Sequence, residues 1–150
     1  MAGQNTYSFL DVQATISGPG GGFSMGSGAG ASEEGISVEP SEEVGTMTIG
    51  ADGSGMHSLH ANKYCKITVR LLKTSPVNAQ LAGMLALQRT SGANYGQNTI
   101  SIVNMASGDS ITGQQAAFAK WPNLTYAKEG GMNEWEFNVI LLDQGLGAGV

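Results

Sequence analysis

The 150 residues include 23 glycines, 41% hydrophobic and only 13% charged residues, a balance that excludes a disordered chain and suits one β-rich domain, 1–150, with many turns. The net charge of −5 is uneven: residues 1–62 hold seven acids and no Lys or Arg, the remainder seven bases and five acids. That excludes a basic groove gripping nucleic-acid phosphates and favours head-to-tail contact between copies. The lone Cys65 rules out an internal disulfide, and neither a long apolar run nor a secretory pattern is visible, so a soluble protein in a reducing cytoplasm is expected.

Tyr7 to Ser17 alternates, with Leu10, Val12, Ala14 and Ile16 on one face and Asp11, Gln13 and Thr15 on the other, which predicts a strand. Gly18-Pro19-Gly20-Gly21-Gly22 ends it, and the small and acidic residues of 26–43 read as a long surface loop. Thr46 to Ile49 predicts a short strand with Met47 and Ile49 inward, closed by the Gly-rich run from Gly50 to Gly55. Lys63 to Lys73 alternates most clearly: Cys65, Ile67, Val69 and Leu71 on a core face, Tyr64, Lys66, Thr68 and Arg70 on a wet one. Ser75 as an N-cap and Pro76 at the first position then start a helix. Its stripe is Val77, Leu81, Met84 and Leu85, with Asn78, Gln80 and Gln88 off it, and Ser91-Gly92 stops it. Thr99 to Asn104 is a strand, and Ser107-Gly108-Asp109 a tight turn into Ser110 to Lys120. The polar Ser110, Thr112, Gln114 and Gln115 require solvent or another subunit on one face of that partner strand. Met132 to Asp143 is the last strand, with Trp135, Phe137, Val139 and Leu141 on one side and Glu134, Glu136 and Asn138 on the other. About six strands and one helix predict a mainly β fold, an antiparallel sandwich or barrel.

No catalytic constellation, cofactor site or metal site emerges. Gly26, Gly28 and Ala31 fit a dinucleotide fingerprint, but Glu33, Glu34, Gly35 and Pro40 stand where its helix should run. His57 and His60, three apart in an extended segment, point to opposite faces, and Cys65 reads as an inert core thiol. Gly108-Asp109-Ser110 echoes a hydrolase nucleophile without a downstream His, so a β-turn explains it. Asn123-Leu124-Thr125 has the form of a glycosylation sequon, and Glu134 with Glu136 reads as an exposed acidic stripe.

The stretches NTYSFLDVQATISGPGG, TIGADGSGMHSLHANK, ITVRLLKTSPVNAQL and YAKEGGMNEWEF, spread over nearly the whole chain, together resemble the tail-tube proteins of contractile-tailed bacteriophages. The resemblance implies a non-enzymatic virion protein, assembled in the bacterial cytoplasm, whose hexameric rings stack into a hollow tube. Its partners would be copies of itself, the tail sheath protein, the tape-measure protein, and the baseplate and tail-terminator proteins, with DNA only passing through the lumen. Rival readings are another tail component, such as a sheath subunit, which 150 residues hardly accommodate, and a small-molecule-binding β-barrel, which should stay monomeric.

On the tube reading, Asp52, Gly53, Ser54, Gly55, Met56, His57 and Ser58 belong to a protruding segment, too Gly-rich to order itself, that stacks on the next ring. A lumen that lets DNA slide must be polar and free of unpaired cations. Asp11, Gln13, Thr15, Ser110, Thr112 and Gln114 are the lumen candidates, and Lys66 and Arg70 should lie elsewhere or pair with acids such as Glu134 or Glu136. The expected core is Leu10, Val12, Ile16, Ile67, Val69, Leu71, Leu81, Leu85, Ile100, Ile102, Trp135, Phe137 and Val139.

Overall fold

A computed structural model describes residues 8, 11–25, 31–41, 43–61, 63–122, 126, 128 and 131–147. In chain order the elements are β1 (Val12–Gly18), β2 (Gly21–Ser24), β3 (Ala31–Pro40), β4 (Gly45–Ile49), β5 (Gly55–Leu59), β6 (Cys65–Leu72), α1 (Val77–Gln88), β7 (Asn98–Asn104), β8 (Asp109–Lys120) and β9 (Met132–Gly145). Seven strands form an antiparallel sheet in the order β2-β1-β7-β8-β9-β6-β3, and β4 and β5 pair only with each other. The mainly β architecture with one helix is as expected, but nine strands stand among the described residues where about six were read.

The strand-to-helix passage from β6 into α1 supplies a large share of the core. Cys65, Ile67, Val69 and Leu71 are buried as their alternation requires. Thr68, expected to be wet, is buried too, because its outer face is flanked by Glu136 of β9 and Ser37 of β3. The Ser75 hydroxyl accepts the Val77 amide at 3.3 Å, satisfying one donor at the helix start. Val77, Leu81, Met84 and Leu85 then bury their stripe. Gln88, placed off the stripe by its polarity, is fully buried, because its amide exchanges hydrogen bonds with Asn98 of β7 at 2.7 and 2.9 Å and donates to the Pro19 carbonyl.

One cluster contains the core residues of β1, β6, α1, β7, β8 and β9. Twelve of the thirteen expected members are in it, and Leu10 lies outside the described residues. Missed members include Met25, which follows β2, and Phe118 and Ala116 of β8, where Phe118 packs edge-on against Trp135 (5.9 Å) and at a tilt against Phe137 (4.8 Å). The inward side of β8 passes from Ile111 and Gly113 to Ala116 and Phe118 across Gln115, whose φ is 53°. A strict period of two cannot anticipate such a bulge. On β9, Leu141 is 40% exposed rather than inward, and Leu142 packs on the core instead.

Two further expectations are corrected. Residues 31–40 are not loop but strand β3, paired with β6 from Ala31↔Leu71 to Pro40↔Cys65. Gly35, at φ 62°, absorbs an irregularity in that register, and Ile36 and Val38 reach the core. Gly21 and Gly22 do not merely break β1 but open β2, which folds back on it. Ala31 of the dinucleotide-like pattern therefore enters a strand, whereas Gly26 and Gly28 lie outside the described residues, as do Tyr7, the sequon 123–125 and Gly130.

Candidate assembly surfaces

Two surfaces have no place in the core. The first is the β4–β5 hairpin. Its register pairs Gly45 with Leu59, Met47 with His57, and Ile49 with Gly55, so these six residues share one face; Thr46, Thr48, Ser58 and Met56 share the other. Met47 and Ile49 are thus on a common apolar face, but it is not inward: they are 61% and 59% exposed, and Leu59 is 84% exposed.

The Gly-rich tip, expected to need a neighbour for its order, is held by its own bonds. Gly50 N–H donates to the Ser54 carbonyl at 2.6 Å and Gly53 N–H to the Gly50 carbonyl at 3.1 Å. The Asp52 carboxylate accepts both the Ser54 hydroxyl (2.6 Å) and the Ser54 amide (3.0 Å), and these bonds, the hydroxyl first, hold its carboxyl below the usual carboxylate range. Gly53 supplies the φ of 88° that the tip requires. Of the seven residues assigned to a stacking loop, Asp52, Gly53 and Ser54 form this turn, and Gly55, Met56, His57 and Ser58 are strand β5. His57 is exposed, Cys65 is buried so that its thiol is pushed up, and no metal-binding cluster occurs among the described residues.

The second surface is the side of the sheet facing away from the core. Pairings place Gln13, Val103, Ser110 and Gly145 in one row across β1, β7, β8 and β9, and Thr15, Ser101, Thr112 and Asp143 in the next. Four lumen candidates from distant parts of the chain therefore lie side by side, and Gln114 follows Thr112 along β8, opposite Leu141. Asp11 is half-buried in a turn before β1, its carbonyl bonded to the Met105 amide at 3.0 Å. Asp143 is the only charged residue in the two rows. On the outer side of β6, Lys66 lies 3.9 Å from Glu136 and Arg70 lies 3.7 Å from Glu134. Arg70 also donates to the Ser37 hydroxyl at 2.9 Å. Both cations are paired with the acids anticipated for them.

The turn at Gly108 (φ 84°) joins β7 to β8, and the Asp109 carboxylate accepts the Gly147 amide at 2.8 Å, which ties down the end of β9 rather than activating Ser110.

Residues 4–147 match the family described as bacteriophage PhiTE tail tube protein. No curated protein matches the chain. Among solved structures, the fold is similar to the tube-terminating cap of the anti-feeding prophage (TM-score 0.54, 12% identity, covering 97% of this chain and 95% of that one). A chain of the extended sheath–tube complex of PVC, an extracellular contractile injection system, gives a TM-score of 0.49 at 11% identity, covering 89% of this chain and 88% of that one.

Proposed function

The chain belongs to the bacteriophage PhiTE tail tube protein family, and from that premise we propose that its copies form stacked hexameric rings, the inner tube of a contractile tail and the conduit for the genome. The observation that carries this reading is the hairpin: a self-ordered element whose apolar face, Met47, Ile49 and Leu59, is left uncovered by its own chain. An isolated two-stranded ribbon is marginal in water, and burying such side chains contributes roughly 1.5–3 kcal/mol each. Contact with another subunit gives that face its cover, so the hairpin is the ring-to-ring element.

The rows through Gln13 and Thr15 form the lumen wall. Apart from Val103 and Gly145 they are polar, and they carry one acid and no base, and so offer phosphates nothing to hold. Lys66 and Arg70 add no free cation, since Glu136 and Glu134 pair with them. The sheath protein surrounds the tube, the tape-measure protein fills it during assembly in the host cytoplasm, and baseplate and terminator proteins close its ends. No enzymatic step is part of this role.

Negative-stain microscopy and sizing of the purified full chain test the reading. Rings or long tubes are expected, and a monomer at every concentration defeats it. A Met47→Ser, Ile49→Ser, Leu59→Ser variant should remain folded by circular dichroism yet form no tubes. For the lumen, Gln13→Lys with Thr112→Lys should slow DNA ejection from phage carrying it; ejection at the normal rate removes the electrostatic basis.

A further inference from the structure

We infer that the apolar face of the hairpin docks, on a second copy of this chain, in the groove that runs along α1 past Trp121. The inference rests on the assembly reading above and adds the receiving surface. Two depressions meet at Trp121. One, of about 410 Å³, lies against Ala79, Ala82, Pro122 and Trp135. The other, of about 360 Å³, lies against Leu85, Tyr95 and Phe118 and carries Arg89 and Lys120 at its edge. Trp121 and Tyr95 are each 44% exposed, so the groove includes aromatic surface that the subunit leaves wet.

Charge argues for this occupant. Arg89 and Lys120 are both exposed, and among the described residues no acid lines either depression. The hairpin carries Asp52 at its tip and Glu43 before its first strand, and residues 1–62 contain no Lys or Arg at all. A cationic rim around an aromatic floor thus complements an acidic tip beside an apolar face. The two patches differ and sit on one chain, so their contact is heterologous. Each docked copy presents a fresh hairpin or a fresh groove, and growth continues rather than saturating at a dimer.

The test is photo-crosslinking in assembled full-length protein, with p-benzoylphenylalanine replacing Met47 and an isotope-labelled second population to mark bonds between copies. Crosslinks to residues 79–89 or 118–122 of the other population are expected. Tubes whose hairpin crosslinks land on another surface overturn the groove while leaving the assembly reading standing; protein that never assembles overturns both. An Arg89→Glu, Lys120→Glu variant should lose tube yield several-fold at low salt with unchanged melting. Undiminished yield from a variant with that melting also overturns the inference.

Discussion

Strands β6 and β4 have the same pattern and opposite fates. Each alternates apolar with polar residues, yet Ile67, Val69 and Leu71 of β6 have no exposure, whereas Met47 and Ile49 of β4 keep about three-fifths of theirs. The difference comes from their neighbours: β6 sits between β9 and β3 with α1 contributing to the same core, and β4 has only β5. Alternation therefore declares that a strand has an apolar face, while the partner that covers it can be another part of the chain or another molecule.

The largest effect expected from testing this contrast is in the covered region. Phe137→Ala, at a residue with no exposure that packs on Phe118, should destabilise isolated subunits by about 3–5 kcal/mol in urea unfolding. A matched pair is sharper. Ile67→Ala should cost roughly 2–5 kcal/mol, and Ile49→Ala within about 0.5 kcal/mol, because only the first leaves a cavity. Equal costs would mean that the hairpin is already packed within the subunit. Gln88→Ala, which strips Asn98 of its amide partner, should cost about 1–3 kcal/mol, and Asn98→Leu in the same chain should recover part of it. Lys66→Ala should shift stability by less than about 1 kcal/mol, since its ion pair with Glu136 is long and Lys66 is nearly half exposed.

The smallest effects are in pH, and the two regions respond in opposite senses. Burial raises the Cys65 thiol, so its contribution is fully present below the ordinary thiol pKa and is lost as pH rises toward the raised value; Cys65→Ala should remove that alkaline slope. Asp52 is held low, so its contribution is present above the ordinary carboxylate value and is lost as pH falls through its lowered one. Amide exchange at Ser54 should quicken in acid, and Asp52→Asn should blunt that response.

The β6–α1 passage was legible because neighbouring residues set both its periods. The core lists agree for the same reason, wherever burial follows local alternation. What escaped reading depends on distant partners. β3 hides Ile36 and Val38 among glycines and acids, and it is a strand because β6 offers an edge to it. Gln88 reads as solvated until Asn98 and Pro19, ten and 69 residues away, supply its partners. Phe118 turns inward only beyond the bulge at Gln115. The lumen candidates were legible as polar strand faces, but their adjacency follows from pairings that join β1 to β7 and β7 to β8. The segment assigned to stacking forms the tip and second strand of the hairpin, and its order was misjudged, because an Asp-x-Ser turn stabilises a tip that composition alone marks as loose.

The pairing of β1 with β7 sets Ile16 against Ile100, 84 residues apart in sequence. Loop closure over such a separation is entropically costly before any contact rewards it, and chains dominated by non-local pairing fold in milliseconds to seconds rather than microseconds. On the ribosome, the local β1–β2 hairpin cannot join the sheet until β7 has emerged, and Val12 and Ile16 stay without that partner meanwhile. The β4–β5 hairpin pairs across only a few residues and can form long before that. Each nascent chain therefore displays its apolar ribbon ahead of its finished body, and at high expression premature association of half-made chains competes with the polymerisation proposed above.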